Sequence, residues 1–313
     1  MERNEKRVIA RRNELWEKNP TIPTWVNKED VGLDQFFTNP EIAKAYFDSF
    51  IQFLEGEGVD IKDCIFIEPS AGDRSFYDLL PKKSRIGLDI MPLSKGIQEQ
   101  DFLSWKPRGT RKKRIFIGNP PFGYRAWLAL AFMNHAAKFA DYIGFILPMA
   151  FQSEVRGGPR LRVEGMKLRH SEIIPTESFY NPNKKAIKIN ALWQVWEKGE
   201  NVKPIIEPCD QWMDIFTVDL RTERLCGQTK MDQADYFIQR TYYNIQSSLV
   251  KSFDEVKYCC GYGLIIKKQK RKILSILNQT NWDNYSNLTA HNCRHISMYH
   301  IQRVLTDRGL TNA

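Results

Sequence analysis

The sequence lacks any apolar run long enough to cross a membrane. Its first residues, Met1 to Arg7, are charged and have no apolar centre of the kind a signal peptide needs. Hydrophobic residues still make up 42% of the 313 positions, so the chain can bury one large core and a smaller appendage. We therefore expect a soluble intracellular protein with no contact to a membrane.

The sequence also lacks paired cysteines. Its six cysteines show no metal-ligand spacing, and nothing indicates an oxidising compartment. Cys293 and His295, with His291 nearby, are the arrangement most similar to a zinc site, but the cysteine pairs of ordinary zinc modules are missing. We expect reduced, structural cysteines and no metal.

Acidic residues are fewer than basic ones. The chain has 37 Asp and Glu against 46 Lys and Arg, which gives a net charge of +9 and a pI near 9.1. Such an excess favours a polyanionic partner, because Lys and Arg release counterions when they contact phosphates. A solvated basic surface explains the charge equally well.

The most informative stretch is an apolar run that stops at two prolines. Residues 115–118 predict a buried strand, and Asn119-Pro120-Pro121-Phe122 ends it. Ligands bind at this carboxyl edge in open α/β sheets. The oxygens of the Asn119 carboxamide and the Pro120 carbonyl can accept both hydrogens of an exocyclic amine, and Phe122 can stack on its ring. The alternative is a strand exit in which Phe122 fills the core.

This tetrad resembles the signature of amino-group methyltransferases that use S-adenosylmethionine, above all the adenine-N6 DNA methyltransferases. RNA-adenine and protein-glutamine methyltransferases carry similar tetrads. Cytosine-N4 methylation also remains open, since its target is another exocyclic amine. The order of the remaining motifs therefore matters, and the resemblance extends over residues 34–198.

A candidate cofactor loop comes earlier in the chain. An apolar run ending at Glu68 predicts a strand, and small residues follow it before a predicted amphipathic helix through Leu79 and Leu80. A Glu at this point would repel a pyrophosphate but suits a cationic methionine group. The run resembles the family's Glu-Pro-Ser-Ala-Gly-x-Gly loop, with Arg74 where a second glycine is usual. A left-handed backbone at Arg74 would be strained. By resemblance, the loop's cofactor contacts are Glu68, Pro69, Ser70, Ala71 and Gly72.

A segment before this loop resembles the family's aromatic-Thr-x-Pro sequence, which lines the methionine end of the cofactor pocket. The matching residues are Phe37, Thr38 and Pro40. The alternative is an ordinary helix start, with Thr38 or Asn39 as the cap and Pro40 in the first turn.

Two further acids complete the predicted cofactor site. Asp89 ends a second predicted strand, where a carboxylate can accept ribose hydroxyls. Asp101 and Phe102, after a short helix-like stretch, resemble the pair that binds the cofactor's adenine. By resemblance, Asn119 also contacts the cofactor.

Strands and helices alternate beyond the tetrad. The spacing predicts a helix over 127–139, a strand over 142–148, and a terminal hairpin formed by 170–180 and 187–196. The fold class is therefore α/β, with a Rossmann-like, mostly parallel sheet that ends in an antiparallel hairpin. In the methyltransferases it resembles, an aromatic before this hairpin turn packs on the target base. Phe179 is the match, and Tyr180 is the weaker one.

The chain is expected to have three parts. Residues 1–33 form an arm, 34–198 the methyltransferase domain, and 199–313 a small α+β target-recognition region. In the last part we expect strands within 236–246 and 256–266 and helices over 267–277 and 296–305.

Basic residues after the sheet's active edge and on the basic helix are candidate phosphate contacts, with solvated surfaces as the alternative. They are Arg156, Arg160, Arg162, Lys267, Lys268, Lys270 and Arg271.

Together these motifs predict methylation of a flipped-out adenine in duplex DNA by S-adenosylmethionine. Extrusion is needed because the amino group is buried in the base pair. The alternatives are an RNA-adenine methyltransferase, a protein-glutamine methyltransferase, and a catalytically silent nucleic-acid-binding subunit. The recognition sequence, any pairing with a restriction endonuclease, and the oligomeric state stay open.

Overall fold

The protein is described by a computed structural model that covers residues 36–155, 157–181, 183–205 and 207–312. The predicted arm, 1–33, and Arg156 lie outside these residues. The chain divides into two compact units, with the boundary between Val202 and Lys203. The sequence placed a boundary between 198 and 199.

The first unit contains ten short or medium strands and two α-helices in its described part. The strands are β1 (Phe37–Thr38), β2 (Cys64–Glu68), β3 (Arg85–Asp89), β4 (Gln98–Glu99), β5 (Lys113–Gly118), β6 (Tyr142–Pro148), β7 (Met166–Ile173), β8 (Phe179–Tyr180), β9 (Ala186–Ile187) and β10 (Ala191–Lys198). The helices are α1 (Pro40–Gly56) and α2 (Trp127–Ala137).

Seven of these strands form one sheet in the order β4-β3-β2-β5-β6-β10-β7. Strands β4, β3, β2, β5 and β6 run parallel to one another. Strand β10 is antiparallel to both β6 and β7, with a register shift between Val195 and Trp196. The prediction of a Rossmann-like, mostly parallel sheet with an antiparallel end is confirmed.

Both faces of this sheet pack against a helix. Alternate residues of a strand point to opposite faces, so one strand contributes to both contacts. Ile115 and Ile117 join the core cluster that contains Phe50 of α1. Phe116 between them contacts Phe102, whose ring lies 5.1 Å from Phe132 of α2. The sheet is therefore buried on both faces, as its continuous apolar strands require.

A separate three-stranded sheet has the order β1-β8-β9. Phe37 pairs with Tyr180, and Thr38 pairs with Phe179. This small sheet joins the segment before α1 to the turn of the terminal hairpin, and the sequence did not predict it.

Two predicted helical segments are wrong. The stretch through Leu79 and Leu80 is one 3-10 turn, Tyr77–Leu79, because Pro81 forces the residue before it into an extended conformation. The stretch before Asp101 forms bends and turns around Pro92 and Gly96. Another 3-10 turn, Pro159–Arg162, follows Gly157 and Gly158.

The second unit is a small α+β structure, as predicted. It contains β11 (Met213–Asp219), β12 (Tyr236–Gln239), β13 (Thr241–Tyr242), β14 (Leu249–Val250), β15 (Cys260–Ile266), β16 (Asn287–Leu288) and β17 (Arg294–His295), with α3 (Lys270–Asn278) and α4 (Met298–Thr306). Its antiparallel sheets have the orders β11-β15-β12-β14 and β13-β17-β16. Ile273 of α3 and Ile301 of α4 pack in one buried cluster with Met213 and Leu264 of the larger sheet.

No helix in the described residues is both long and apolar enough to span a membrane. All six cysteines are free thiols.

Candidate functional site

The carboxyl ends of three neighbouring parallel strands bring the predicted motifs together. Strands β3, β2 and β5 are adjacent, and they end at Asp89, Glu68 and Gly118. The Ser70 hydroxyl donates to the Asn119 carbonyl at 3.1 Å, and the Gly72 N–H donates to Asp89 Oδ2 at 2.8 Å. Direct hydrogen bonds therefore join the loop after β2 to the acid after β3 and to the corner after β5.

The Asn119 side chain has a fixed orientation. Its Nδ2 donates to the Phe36 carbonyl at 2.9 Å, and because a carbonyl only accepts, the amide nitrogen must face it. Asn119 Oδ1 is then buried, and no partner for it lies among the described residues. Pro120 and Pro121 follow without N–H groups that could occupy this oxygen. The corner thus presents a desolvated acceptor, which is what an incoming amino group needs.

Three aromatic rings lie beside this corner. Phe122 is 7% exposed and Phe179 1%. Their centroids are 6.4 Å apart with an interplanar angle of 87°. Phe36 contacts Phe122 at 6.1 Å and Phe179 at 6.4 Å. The two predicted base-contacting residues are brought together, but they touch edge to face, so a base that stacks on either ring must displace part of this contact.

Sequence reasoning missed Phe36. Its carbonyl orients Asn119 and its ring completes the aromatic cluster. The only local signal was its place directly before the Phe37-Thr38 segment, because its contacts are made with residues far along the chain.

Glu68 is the most desolvated acid of the site. Its side chain is 2% exposed, and Oε2 has no hydrogen-bond partner in the described part of the chain. Burial raises the pKa of Glu68 well above its ordinary value of 4.5, and repulsion from Asp73 and Asp89 adds to the shift. A Cβ on Gly118 would lie 3.2 Å from Glu68 Cγ, and φ there is +147°, so glycine makes room for this side chain.

Asp89 is held by two backbone donors. Gly72 N–H and Met91 N–H donate to its two oxygens, each at 2.8 Å. Burial raises the pKa of Asp89, whereas these two hydrogen bonds oppose the shift. Each carboxylate oxygen has a second lone pair, so Asp89 can still accept from the hydroxyls of a ligand.

The segment before α1 lies against the loop. A Cβ on Gly72, whose φ is +46°, would lie 3.1 Å from the Phe37 ring, so this glycine allows the ring to approach closely. Thr38 is buried and its Oγ1 has no partner among the described residues. Pro40 is exposed in the first turn of α1, which Asn39 caps by accepting from Glu41 N–H at 3.0 Å.

Asp101 and Phe102 begin a 3-10 turn, Phe102–Ser104. Asp101 Oδ1 accepts from Leu103 N–H at 2.9 Å. Phe102 is 2% exposed, and its ring contacts Phe132 at 5.1 Å and His135 at 4.8 Å. The structure places Phe102 in the core on the α2 side of the sheet.

Arg74 has the left-handed backbone that a glycine would adopt more easily. Its φ is +77°, and its N–H donates to the Ala71 carbonyl. Its guanidinium pairs with Asp78 at 2.5 Å and donates to the Lys95 carbonyl at 3.1 Å. The loop therefore keeps its turn at the cost of backbone strain at Arg74.

The candidate phosphate contacts differ in their surroundings. Arg160 pairs with Glu154 at 2.5 Å, Lys267 pairs with Asp214 at 2.7 Å, and Lys270 pairs with Asp235. Apart from Arg160, the candidates that the structure describes are all exposed: Arg162, Lys267, Lys268, Lys270 and Arg271. Arg160 and Arg162 belong to the first unit, and the remaining ones to the second.

The second unit also exposes two aromatic side chains that the sequence did not single out. Tyr243 is 51% exposed and Tyr258 56%, and their rings lie 6.1 Å apart. Across the residues that the structure describes, no group of three or more His, Cys, Asp or Glu side chains could hold a metal ion.

Comparisons with known proteins give only distant matches. No family model and no curated protein sequence matches this chain. A protein from Pyrococcus horikoshii, provisionally described as an RNA methyltransferase, is 18% identical, with a TM-score of 0.37 over 53% of this chain and 88% of its own.

Magnesium protoporphyrin IX methyltransferase from Synechocystis PCC 6803 is a second match. Its structure with S-adenosylmethionine bound is 15% identical, with a TM-score of 0.33 over 59% of this chain and 90% of its own. Its structure with S-adenosylhomocysteine gives 14% identity and a TM-score of 0.31 over 59% and 93%.

Proposed function

We propose that the first unit is an S-adenosylmethionine-dependent methyltransferase that acts on an exocyclic amino group, and that its target is N6 of an adenine extruded from duplex DNA. The observation that carries the proposal is the buried acceptor Asn119 Oδ1, which the Phe36 carbonyl orients and no described residue occupies. An aromatic amine is a poor nucleophile because its lone pair is delocalised. Acceptance of its hydrogens by Asn119 Oδ1 and the Pro120 carbonyl would localise that pair on nitrogen.

The residues at the edge of the sheet suit the cofactor. Glu68 supplies a buried oxygen without a partner in the described chain, which suits a cationic amino acid group. Asp89 supplies acceptors for ribose hydroxyls, and the loop from Ser70 to Gly72 keeps side-chain bulk away. The bound cofactor would supply a methyl group on a positively charged sulfur, an electrophile that leaves a neutral thioether. The amine nitrogen would form the new N–C bond as the S–C bond breaks, and the surplus proton on the methylated nitrogen is acidic enough to pass to water. The protein's task is then to position the amine and to stabilise charge, without a strong base.

The aromatic cluster supports a planar substrate. A base extruded from a duplex loses its stacking, at a cost of a few kcal/mol, and contact with Phe122 and Phe179 would offset that loss. Adenine in DNA is proposed because of the Asn-Pro-Pro-Phe tetrad, the order of the motifs and the net charge of +9. Adenine in RNA is the alternative substrate, and an assay with DNA and RNA side by side distinguishes the two.

We propose that the second unit contacts nucleic acid. The exposed Lys268 and Arg271 are the candidate phosphate contacts, and exposed Tyr243 and Tyr258 can stack on bases. Lys267 and Lys270 already have acidic partners, so they contribute less. In the first unit, exposed Arg162 is a candidate contact, whereas Arg160 has Glu154 as its partner.

Asn119→Ala tests the proposal. Removal of the acceptor should lower the rate of methyl transfer by about 100-fold or more, as for other preorganised polar groups. The affinity for S-adenosylmethionine, measured by calorimetry, should change only a few-fold, because the cofactor has its own contacts at Glu68 and Asp89.

The matched control is Asn134→Ala. The Asn134 amide bonds the backbone of Arg162 and Glu164 and plays no part in the corner. At saturating DNA this variant should keep the wild-type rate of methyl transfer, because a shift at Arg162, a candidate phosphate contact, would change the affinity for DNA instead. Unchanged turnover in Asn119→Ala would refute the role of the corner, and a wild-type protein that fails to bind S-adenosylmethionine would favour a silent binding subunit.

A further inference from the structure

Asp73, directly after the glycine of the cofactor loop, connects two distant parts of the first unit. Its Oδ1 accepts from Ser75 N–H at 3.3 Å, and the Ser75 hydroxyl lies 2.8 Å away. Its Oδ2 accepts from the Tyr180 hydroxyl, 107 positions further along the chain. The carboxylate thus holds its own loop on one side and strand β8 on the other.

Ser75 and Phe37 reinforce this connection. The Ser75 hydroxyl lies 2.7 Å from the Thr38 carbonyl, so its single hydrogen has acceptors in both β1 and the loop. The Phe37 ring packs on Tyr180 at 5.8 Å and would lie 3.1 Å from a Cβ at Gly72. Both paired strands of the small sheet therefore rest on the cofactor loop.

Strand β8 and the residue directly before β1 supply groups of the catalytic corner. Phe179 and Tyr180 are neighbours in β8, so their side chains point to opposite faces. Tyr180 bonds Asp73, whereas Phe179 contacts Phe122 edge to face at 6.4 Å. Phe36, directly before β1, orients Asn119 through its carbonyl.

We infer that Asp73 and Tyr180 are positioning residues that couple the cofactor loop to the base-contacting aromatic cluster. A ligand that orders the loop at Gly72 and Asp73 also fixes Tyr180, and with it Phe179. A base that binds next then has less conformational freedom to lose, so each ligand strengthens binding of the other. This inference rests on the proposed function and deepens it. It states that the hydrogen bond between Asp73 and Tyr180, which is made by the protein alone, links cofactor binding to base binding.

Tyr180→Phe tests the coupling because it removes one hydroxyl and keeps the ring. The quantity to measure is the affinity for unmethylated duplex DNA, by fluorescence anisotropy, with and without saturating S-adenosylhomocysteine, which cannot react. In the wild type the cofactor product should tighten DNA binding by about fivefold or more. In Tyr180→Phe this ratio should fall close to one, and the turnover number should fall more than the KM for DNA rises.

Tyr142→Phe is the matched control. Tyr142 is the first residue of β6, and its hydroxyl donates to Glu197. Removal of this hydroxyl should leave the ratio of the DNA affinities with and without S-adenosylhomocysteine at the wild-type value. Asp73→Ala should also bring the ratio close to one, and adding Tyr180→Phe to it should cause no further loss, because the bond that the two residues share is already gone. Asp73→Ala also removes the two bonds to Ser75, so the double variant is compared with Asp73→Ala. Thermal unfolding of each variant checks that the fold is intact.

The possible outcomes are distinct. A ratio that survives in Tyr180→Phe, or a wild-type ratio near one, would overturn the coupling while leaving methyl transfer untouched. A wild-type protein that does not bind S-adenosylhomocysteine would overturn the proposed function, and the coupling with it.

Discussion

The charged form of Glu68 is destabilised by its surroundings, and a cationic ligand would stabilise it. Its carboxyl is buried, one of its oxygens has no partner in the described chain, and Asp73 and Asp89 repel its charge. An acid in such surroundings is kept neutral unless a cation arrives. The residue is therefore suited to a cationic ligand and costs stability when that ligand is absent.

Glu68→Gln should separate these two effects. Because burial raises the folded-state pKa of Glu68 above 4.5, the folded protein holds a proton that the unfolded chain releases. The stability that this proton contributes is fully present below pH 4.5 and is lost as pH rises through the raised pKa. Glutamine, which mimics the neutral acid, should remove this pH dependence and leave the variant more stable than the wild type at neutral pH.

The variant should also bind S-adenosylmethionine more weakly, by about tenfold or more, because it cannot form a charge-assisted hydrogen bond to the ligand. Urea denaturation at several pH values and calorimetry measure the two effects. Equal pH profiles for the unfolding free energy of wild type and variant would contradict this account of Glu68.

At the scale of elements, the cofactor loop is closed by a left-handed Arg74 where a glycine would be unstrained. Arg74→Gly and Arg74→Ala both remove the partly exposed ion pair with Asp78, and only glycine removes the strain. Alanine is usually the more stable of the two by about 0.4–1 kcal/mol. Here we expect the glycine variant to be more stable by about 1 kcal/mol, and urea midpoints measure the difference. A more stable alanine variant would show that the turn does not strain its residue.

The α-helices of the described residues and the strands buried on both faces could be predicted from sequence, and the errors lie in short segments. The run from Tyr142 to Pro148 was predicted residue for residue, because a strand buried on both faces is continuously apolar. The segment after Gly72 was wrongly predicted as a helix, since Pro81 leaves room for only one 3-10 turn. Strand β1 and its partner β8 have two residues each, too few for any periodicity to appear.

The site residues fall into two groups, those with a local sequence signal and those without one. Asn119 and Glu68 could be named because strand ends and motifs are local features of the chain. Phe36 could not be named, and Tyr180 was only the weaker match for a base contact. Their roles depend on contacts with Asn119 and Asp73, which are far away in sequence. Motifs predict which groups meet the ligands, whereas the contacts that hold those groups appear only in the folded chain.

At the scale of the whole molecule, the net charge of +9 predicts salt-sensitive binding of nucleic acid. Arg271→Gln, at an exposed site on α3, should lower the slope of log affinity against log salt by about one unit, because one cation no longer neutralises a phosphate. Lys270→Gln is the matched control on the same helix, and it should change the slope less because Lys270 pairs with Asp235. Equal slopes for Arg271→Gln and wild type would remove α3 from the interface.

The identity of the methylated nucleoside shows which amine receives the methyl group. The protein is incubated with labelled S-adenosylmethionine and, side by side, unmethylated duplex DNA and total RNA, and the products are digested to nucleosides and identified by mass. The account predicts N6-methyladenine in DNA, and its disappearance in Asn119→Ala. N6-methyladenine found only in RNA would keep the corner's chemistry and refute the DNA substrate, and the absence of any methylated amino group in either polymer would contradict the account as a whole.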